Sequence, residues 1–127
     1  MSTLNTALST ALSGMTAAQA MLNVTANNVA NLDTPGYQSE EVDLAALPDG
    51  GVGVEGLYTD DDAMDPSADA AMANGGSNVD LATQATNLSD ARLMYNANAA
   101  VISITNDMYG SLLDIFDNQD SDQDGNS

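Results

Sequence analysis

The stretch NNVANLDTPGY, residues 27–37, separates two kinds of sequence. Residues 1–32, which run into this stretch, carry no charged side chain and repeat apolar residues at helical spacing. Within it, Pro35 lacks a backbone N–H and disfavours helix at Thr34, and Gly36 tolerates a positive φ. We therefore predict that a long N-terminal helix ends here and that the chain turns away from it.

The predicted N-terminal helix has a narrow apolar row along one side. Steps of four and three residues give the 3.5-residue spacing of a coiled-coil seam. Gly14 interrupts the row at a cost of about 1 kcal/mol relative to Ala, which indicates either close approach by another backbone or a local bend. The residues expected to pack between helices here are Leu4, Leu8, Ala11, Met15, Ala18, Leu22 and Val29.

The other faces of this helix are small and neutral. A helix at a solvated surface normally carries charges on its outer face. Here those positions hold Ser, Thr, Asn, Gln and Ala. This pattern favours a helix that packs on several sides inside an assembly of helices. The alternative is a weak helix that folds against one partner within a monomer.

A second apolar-periodic section covers residues 80–116 and predicts a C-terminal helix. Asp80 is placed to cap its start. Arg92 is the only basic residue of the chain, and its candidate ion-pair partners are Asp90 or an acid of a neighbouring subunit. The residues expected to pack between helices in this section are Leu81, Leu88, Tyr95, Ile102, Leu112 and Phe116.

The predicted architecture is mainly α-helical, with long N- and C-terminal helices that pair as a coiled-coil-like bundle. Residues 1–32 form an N-terminal axial helix, and residues 80–116 form a C-terminal one. Residues 33–79 form the turn, a short irregular or β-hairpin segment and an acidic loop, and residues 117–127 form a disordered acidic tail. Two helices this rich in Ala bury too little to offset ordering costs of about 1–2 kcal/mol per residue, so we expect folding to need neighbours.

The formal net charge of −18 comes from 19 acidic residues and one basic residue. This balance excludes the basic surface that nucleic-acid binding needs, and it argues against binding to anionic membranes. The sequence has no run of about 20 apolar residues, so no membrane-inserted helix is predicted. The acidity itself fits solubility and self-repulsion, or a salty habitat.

The chain contains no Cys and no His. Disulfides, thiolate metal sites, zinc hydrolysis and nucleophilic triads are therefore ruled out in their usual forms. We expect no enzymatic activity, no catalytic residue, no cofactor and no metal site.

An acidic stretch near the C-terminus offers a rival interpretation. Residues 120–125, DSDQDG, match the first half of an EF-hand loop. The complete loop has twelve residues and a bidentate Glu at the last position, and the sequence supplies only the first half. A solvated tail is the preferred interpretation, and a free acidic adaptor or calcium-binding protein is the alternative function.

Two long segments carry a family resemblance. Residues 11–38, ALSGMTAAQAMLNVTANNVANLDTPGYQ, resemble the N-terminal signature of the bacterial flagellar rod and hook family. Residues 77–116 resemble the C-terminal half of the same family, and the short section between them is similar to that of its small proximal rod members. The matching motif residues are Ser13, Gly14, Met15, Asn27, Asn28, Asn31, Thr34, Pro35, Gly36, Tyr37, Tyr95 and Asn98.

The resemblance implies a structural subunit of the flagellar basal-body rod, assembling into the torque-transmitting shaft. It implies as partners other rod and hook-family proteins, copies of this chain and the flagellar type III export apparatus. It also implies a location in the periplasmic rod of the basal body and export without a cleaved signal peptide, with end segments that are disordered until they assemble. Finally, it assigns hydrogen-bonding roles at the helix exit to Asn27, Asn28 and Asn31.

Overall fold

The computed structural model describes residues 2–59 and 76–123, including side chains from residue 3 to residue 119 within those ranges. Helix α1 covers Ser2–Ala30 and helix α2 covers Leu81–Gln123. Strands β1 and β2, Glu40–Ala46 and Val52–Thr59, form an antiparallel hairpin between the helices. The predicted fold class, two long terminal helices packed together around a short β-hairpin section, is confirmed.

The two helices run antiparallel. Near one end Asn28 of α1 bonds to Gln84 of α2, and fourteen residues further along each helix Gly14 lies against Asn98. The same spacing places the N-terminus of α1 opposite Gly110, so residues 111–123 of α2 continue past it. At about 1.5 Å per residue this projection, called the overhang below, is about 20 Å long.

The contact between the helices is made of small and polar residues. The buried residues along this inner seam recur every seven residues, which keeps them on one side of each helix. Small residues let the two helices approach closely, but they bury little apolar area. The seam residues, all buried except the half-buried Asn98, are Ala11, Gly14, Ala18, Thr25, Asn28, Gln84, Ala91, Asn98 and Thr105.

Large apolar side chains lie mostly outside the inner seam. Leu93 is 70% exposed, Leu113 is 69% exposed and Phe116 is 62% exposed. Two surfaces hold most of these side chains in α2. One is the overhang, and the other is an outer stripe formed by Leu81, Ala85, Leu88, Arg92 and Leu93, all of which are exposed.

The hairpin lies along α1 and is fixed to it at both ends. At its open end the backbone of Glu40 meets Asn28. At its turn, Gly51 has a φ of 99° and packs against Ser13, and the Val52 N–H donates to Ser13 Oγ at 3.1 Å. Residues 13 to 28 of α1 therefore act as the support for the hairpin.

Some boundaries differ from the sequence expectations. Helix α2 continues to Gln123, whereas a disordered tail was expected from residue 117. Extending an existing helix adds one hydrogen bond per residue without a new nucleation cost, and no Gly or Pro interrupts residues 111–123. The sequence predicts a short strand or hairpin only at residues 50–60, whereas strand β1 already begins at Glu40. The acidic residues of β1 obscure its strand pattern in the sequence. The acidic loop expected around residues 60–75 and the end of the DSDQDG stretch lie outside the described residues.

Candidate functional site

The segment 27–40, where the chain leaves α1, is called the exit below. Asn28 makes four side-chain hydrogen bonds there. It is only 1% exposed. Its Nδ2 donates to the Glu40 carbonyl oxygen at 2.8 Å and to Gln84 Oε1 at 3.0 Å. Its Oδ1 accepts from the Glu40 N–H at 2.9 Å and from the Tyr37 hydroxyl at 3.1 Å. A carboxamide offers two donors and two acceptor positions, so Asn28 is fully satisfied and joins α1, the turn, β1 and α2.

Two further asparagines surround Asn28 on the solvent side. Asn31 Nδ2 donates to the Asn27 carbonyl oxygen at 2.9 Å, and Thr34 Oγ1 donates to Asn31 Oδ1 at 3.1 Å. Asn27 Nδ2 donates to the Tyr37 hydroxyl oxygen at 3.2 Å and to Glu40 Oε2 at 3.3 Å. The last turn of a helix leaves carbonyl groups without helical partners, and these side chains occupy that region.

The turn itself follows the chemistry of its residues. Gly36 has a φ of 72°, so the turn uses the positive φ that this glycine tolerates. The Thr34 N–H donates to the Asn31 carbonyl oxygen at 2.9 Å, and the Tyr37 N–H donates to the Thr34 carbonyl oxygen at 3.1 Å. Pro35 is exposed at the tip of this turn. The helix therefore ends in a compact hydrogen-bonded reversal.

The chain returns to the same turn just before α2 begins. The Gly36 N–H donates to the Gly76 carbonyl oxygen at 3.1 Å, and the Asn78 N–H donates to the Tyr37 carbonyl oxygen at 3.2 Å. The Ser39 N–H donates to Asn78 Oδ1 at 2.6 Å. Residues 76–78 therefore hold the outgoing and returning segments side by side.

Helix α2 starts directly after this crossing. The Ala82 N–H donates to Asp80 Oδ1 at 2.8 Å, so the predicted capping role of Asp80 is confirmed. The Gln84 N–H donates to the Asp80 carbonyl oxygen, which closes the first turn and helps to place the Gln84 side chain against Asn28.

The electrostatics of the exit favour a neutral tyrosine. Burial, and secondly the nearby Glu40 carboxylate, raise the pKa of Tyr37 above its usual value. The hydroxyl therefore keeps its proton at neutral pH and donates it to Asn28. Amide and hydroxyl groups in this arrangement fix geometry, since they pair with one another and with the backbone. Within residues 2–59 and 76–123, no three acidic side chains form a group that could hold a metal ion.

A second group of motif residues lies midway along the helix pair. A Cβ added at Gly14 would lie 2.5 Å from Asn98 Nδ2, so the close neighbour is the Asn98 side chain. Asn98 Nδ2 donates to the Met94 carbonyl oxygen at 2.8 Å, which holds this side chain flat on α2. Met15 and Tyr95 line one shallow depression beside this crossing.

The residues expected to pack between helices have different environments in the single chain. Ala11 and Ala18 are buried in the inner seam. Six others are half-buried, namely Leu4, Leu8, Met15, Leu22, Ile102 and Leu112. Five are exposed, namely Val29, Leu81, Leu88, Tyr95 and Phe116. Packing of the exposed set against other chains stays a prediction.

The sequence pattern did not single out several residues of the exit and the inner seam. Gln84 is 3% exposed and Thr105 is 3% exposed, and both lie in the inner seam. These residues belong to the seven-residue row Gln84, Ala91, Asn98 and Thr105, which is less apolar than the neighbouring rows of the helix. Glu40 takes part in the hydrogen bonding of the exit mainly through its backbone. A backbone contact does not require a particular side chain, so the sequence does not reveal it.

Two family models match the chain, one over the segment that contains Asn28 and one over the segment that contains Gln84. Residues 8–38 match a family model described as Flagella basal body rod protein. Residues 73–115 match a model described as Flagellar basal body rod FlgEFG protein C-terminal. Together the matches cover more than half of the chain. The chain belongs to the flagellar basal-body rod protein family. No curated protein matches it.

Membership of the rod family gives the exit geometry a context. The Asn28–Gln84 bond joins the two family segments, one on each helix. The chain is a structural rod subunit, located at the flagellar basal body and assembling with other flagellar axial proteins. Neither match supports the alternative of a free acidic adaptor or calcium-binding protein. In the described ranges, neither rod-family helix has the length and apolar character needed to cross a membrane.

Proposed function

We propose that this rod-family chain is a subunit of the periplasmic proximal rod, most similar to proximal rod protein C. It packs there against copies of itself and against other rod and hook-family proteins. Its role is mechanical rather than catalytic: it forms part of the shaft that transmits torque. The short section between the helices, which contains only one small hairpin in its described part, supports a small rod member over the hook protein.

One observation carries this proposal. The contact between α1 and α2 is built from small and polar residues, while large apolar residues such as Leu93 and Leu113 remain exposed. Burying a Leu or Phe side chain contributes about 1.5–3 kcal/mol. Most of the packing energy available to this chain is therefore released only when other chains cover it.

The same imbalance supports export before folding. Ordering a residue costs about 1–2 kcal/mol, and the inner seam offsets little of this cost because so many of its residues are Ala, Gly or Thr. We expect the free chain to be largely unfolded when dilute. An unfolded chain suits passage through the type III export apparatus without a cleaved signal peptide, and helix then forms on assembly.

Deletion of the gene in its host tests the function. We expect non-swimming cells whose isolated basal bodies, seen by electron microscopy, keep the membrane ring but lack rod and hook. The wild-type gene supplied in trans should restore both swimming and rods. Intact rods and normal swimming in the deletion strain would overturn the proposed role.

A further inference from the structure

The turn of the hairpin lies directly on the backbone of α1. Gly50 and Gly51 have φ values of 90° and 99°. A Cβ added at Gly51 would overlap Ser13 Oγ and would lie 3.5 Å from the Thr10 Cα. One added at Gly50 would lie 3.6 Å from Thr10 Oγ1. The positive φ values and the close approach both favour glycine here, and the turn backbone therefore reaches the helix without a side chain in between.

The Ser13 hydroxyl joins the helix to this turn. It donates to the Thr10 carbonyl oxygen at 2.7 Å, and its oxygen accepts from the Val52 N–H at 3.1 Å. A hydroxyl has one donor and two acceptor positions, so the proton is used on the helix and a lone pair is presented to the turn. A bond from a Ser side chain to the carbonyl three residues earlier is a helical pattern. Ser13 therefore has this orientation when residues 10–13 are helical.

The second attachment of the hairpin makes the same demand on a longer part of α1. Ser13 and Asn28 are fifteen residues apart, which is about 22 Å along a helix and about 50 Å along an extended chain. Val52, which bonds to Ser13, pairs with Ala46 of β1, six residues from Glu40 and about 20 Å along the strand. Only the helical spacing matches this length. Both attachments therefore form together when α1 is helical from Ser13 to Asn28.

Apolar packing contributes little at the turn end of the hairpin. Beside the Ser13 contact, α1 and β2 leave a depression of about 360 Å³ whose lining includes Leu12, Thr16 and Val54. In the described part of the chain Leu12 is 58% exposed and Val54 is 43% exposed. The turn is therefore held mainly by its backbone contact and by the Ser13 hydrogen bond.

We infer that Ser13 couples the placement of the hairpin to the folding of α1: the turn docks when residues 10–13 become helical and is released when they unfold. Ser13 is thus a positioning residue, and Gly51 is its counterpart in the turn. This coupling rests on the proposed function, in which α1 forms on assembly, and adds to it the event that sets the hairpin in place. An exported chain carries its hairpin unattached at the turn end, and an assembled subunit holds it in one position.

Amide hydrogen exchange at Val52 tests the coupling in the full chain. An osmolyte folds the chain in steps, and exchange at single residues is followed by NMR. The Gly14 amide reports the helical turn that begins at Thr10, because its partner is the carbonyl four residues earlier. We expect the protection of Val52 to rise in parallel with that of Gly14. A Val52 amide that is protected while Gly14 still exchanges freely would overturn the coupling.

The decisive variant is Ser13→Ala, measured at an osmolyte concentration that folds the natural chain. Exchange at Val52 should become about tenfold faster, because its acceptor is gone. The Leu47 amide, which donates to the Gly51 carbonyl oxygen at 3.0 Å within the turn, should change less than about threefold. The matched control is Ser9→Ala, which removes the same type of bond, from Ser9 Oγ to the Thr6 carbonyl oxygen at 3.0 Å. Equal exchange at Val52 in the two variants would contradict the role of Ser13.

A second variant, Gly51→Ala, leaves the hydroxyl in place and disturbs the turn. The new methyl group meets Ser13 at a φ of 99°, so exchange at Val52 should again be about tenfold faster while Gly14 stays protected. Gly56→Ala is its control, because among the described residues no atom lies within 4 Å of a Cβ there. Unchanged exchange at Val52 in both Ser13→Ala and Gly51→Ala would overturn the coupling. It would leave the rod function intact, since that is judged separately by the rods of the deletion strain.

Discussion

The inner and outer sides of helix α2 differ in their residues and in the contacts they make. The inner side places Gln84, Ala91 and Asn98 against α1, with small contact area and specific hydrogen bonds. The outer stripe presents Leu81, Leu88 and other large apolar residues that the single chain leaves exposed. The inner side therefore fixes the contact with α1, and we propose that other chains cover the outer side.

The inner side also fixes how the two helices are aligned along their axes. A single buried polar residue in a helix interface can specify register, because every other alignment leaves it without partners. Asn28 contributes to register through Gln84, the one of its partners that lies on α2, while Tyr37 and Glu40 hold its remaining hydrogen-bonding positions. Sliding α1 by one heptad would break the Asn28–Gln84 bond and take from Gln84 its hydrogen-bond partner.

The largest expected effect on the chain itself comes from Asn28→Ala. The change leaves both backbone groups of Glu40 and the Gln84 carboxamide without a partner, at an expected cost of about 3 kcal/mol in the free energy of unfolding. Because the dilute chain is expected to be largely unfolded, the measurement here and below is urea-induced loss of helix in a fixed concentration of an osmolyte that folds the chain. One fixed protein concentration is used, because association alters apparent stability. Asn27→Ala is the control and should cost less than about 1 kcal/mol, since its hydrogen bonds are exposed. Equal losses for the two variants would show that Asn28 is not the point that fixes the alignment.

The crossing at Gly14 gives the next largest effect. Gly14→Ala gains about 1 kcal/mol of helix propensity, but the new methyl group meets the Asn98 carboxamide. We expect a net loss of about 1–2 kcal/mol. In the Asn98→Ala background the same change should instead stabilise the chain. A double-mutant cycle measured by urea unfolding checks the reversal of sign, and additive effects would exclude the close approach.

A smaller effect should follow the ionisation of Tyr37. Its pKa is raised in the folded chain, by burial first and then by Glu40. The stability that comes from the protonated hydroxyl is therefore complete below the usual tyrosine pKa of about 10 and is lost as the pH rises through the higher folded value. The unfolding free energy of the natural chain should fall as the pH rises through and above about 10. That of Tyr37→Phe should change less. The same pH dependence in both would remove Tyr37 from the exit geometry.

The smallest effect on the chain itself is expected from the outer stripe. Leu88→Asn should alter the unfolding free energy by no more than about 0.5 kcal/mol, because Leu88 is 42% exposed. Rods should nevertheless be lost from basal bodies of the deletion strain that expresses this variant. Leu47→Asn, a change at an exposed apolar residue beside the hairpin turn, is the matched control and should leave more rods than Leu88→Asn does. If Leu88→Asn supports normal rods, the outer stripe does not hold the association energy.

The sequence predicted the long elements well, because they depend on short-range signals. The turn at Pro35 and Gly36 and the cap at Asp80 each act within a few residues, and the structure places all three as expected. The family resemblance added the expected binding partners, which are other rod and hook-family proteins. The extent of α2 was underestimated, since acidic residues at its end resemble a solvated tail.

The alignment of the helices was harder to predict from the sequence. The apolar row through Leu81, Leu88 and Tyr95 is the more conspicuous pattern, yet the inner seam runs through Gln84, Ala91 and their seven-residue neighbours. Hydrophobic periodicity ranks faces by apolar content. In this chain the face with small and polar residues packs against α1, because its hydrogen bonds and close contacts are specific to α1.

The anchoring of the hairpin on α1 also bears on solubility. A two-stranded sheet has two open edges, and open edges recruit further strands and lead to aggregation. On β1 the outward N–H and C=O of Glu40 are both occupied by one asparagine side chain, and at the start of β2 the Val52 N–H is occupied by a serine hydroxyl. A helix thus shields parts of both strand edges with side chains alone. A hairpin held this way can sit among many identical copies with fewer places for them to join edge to edge.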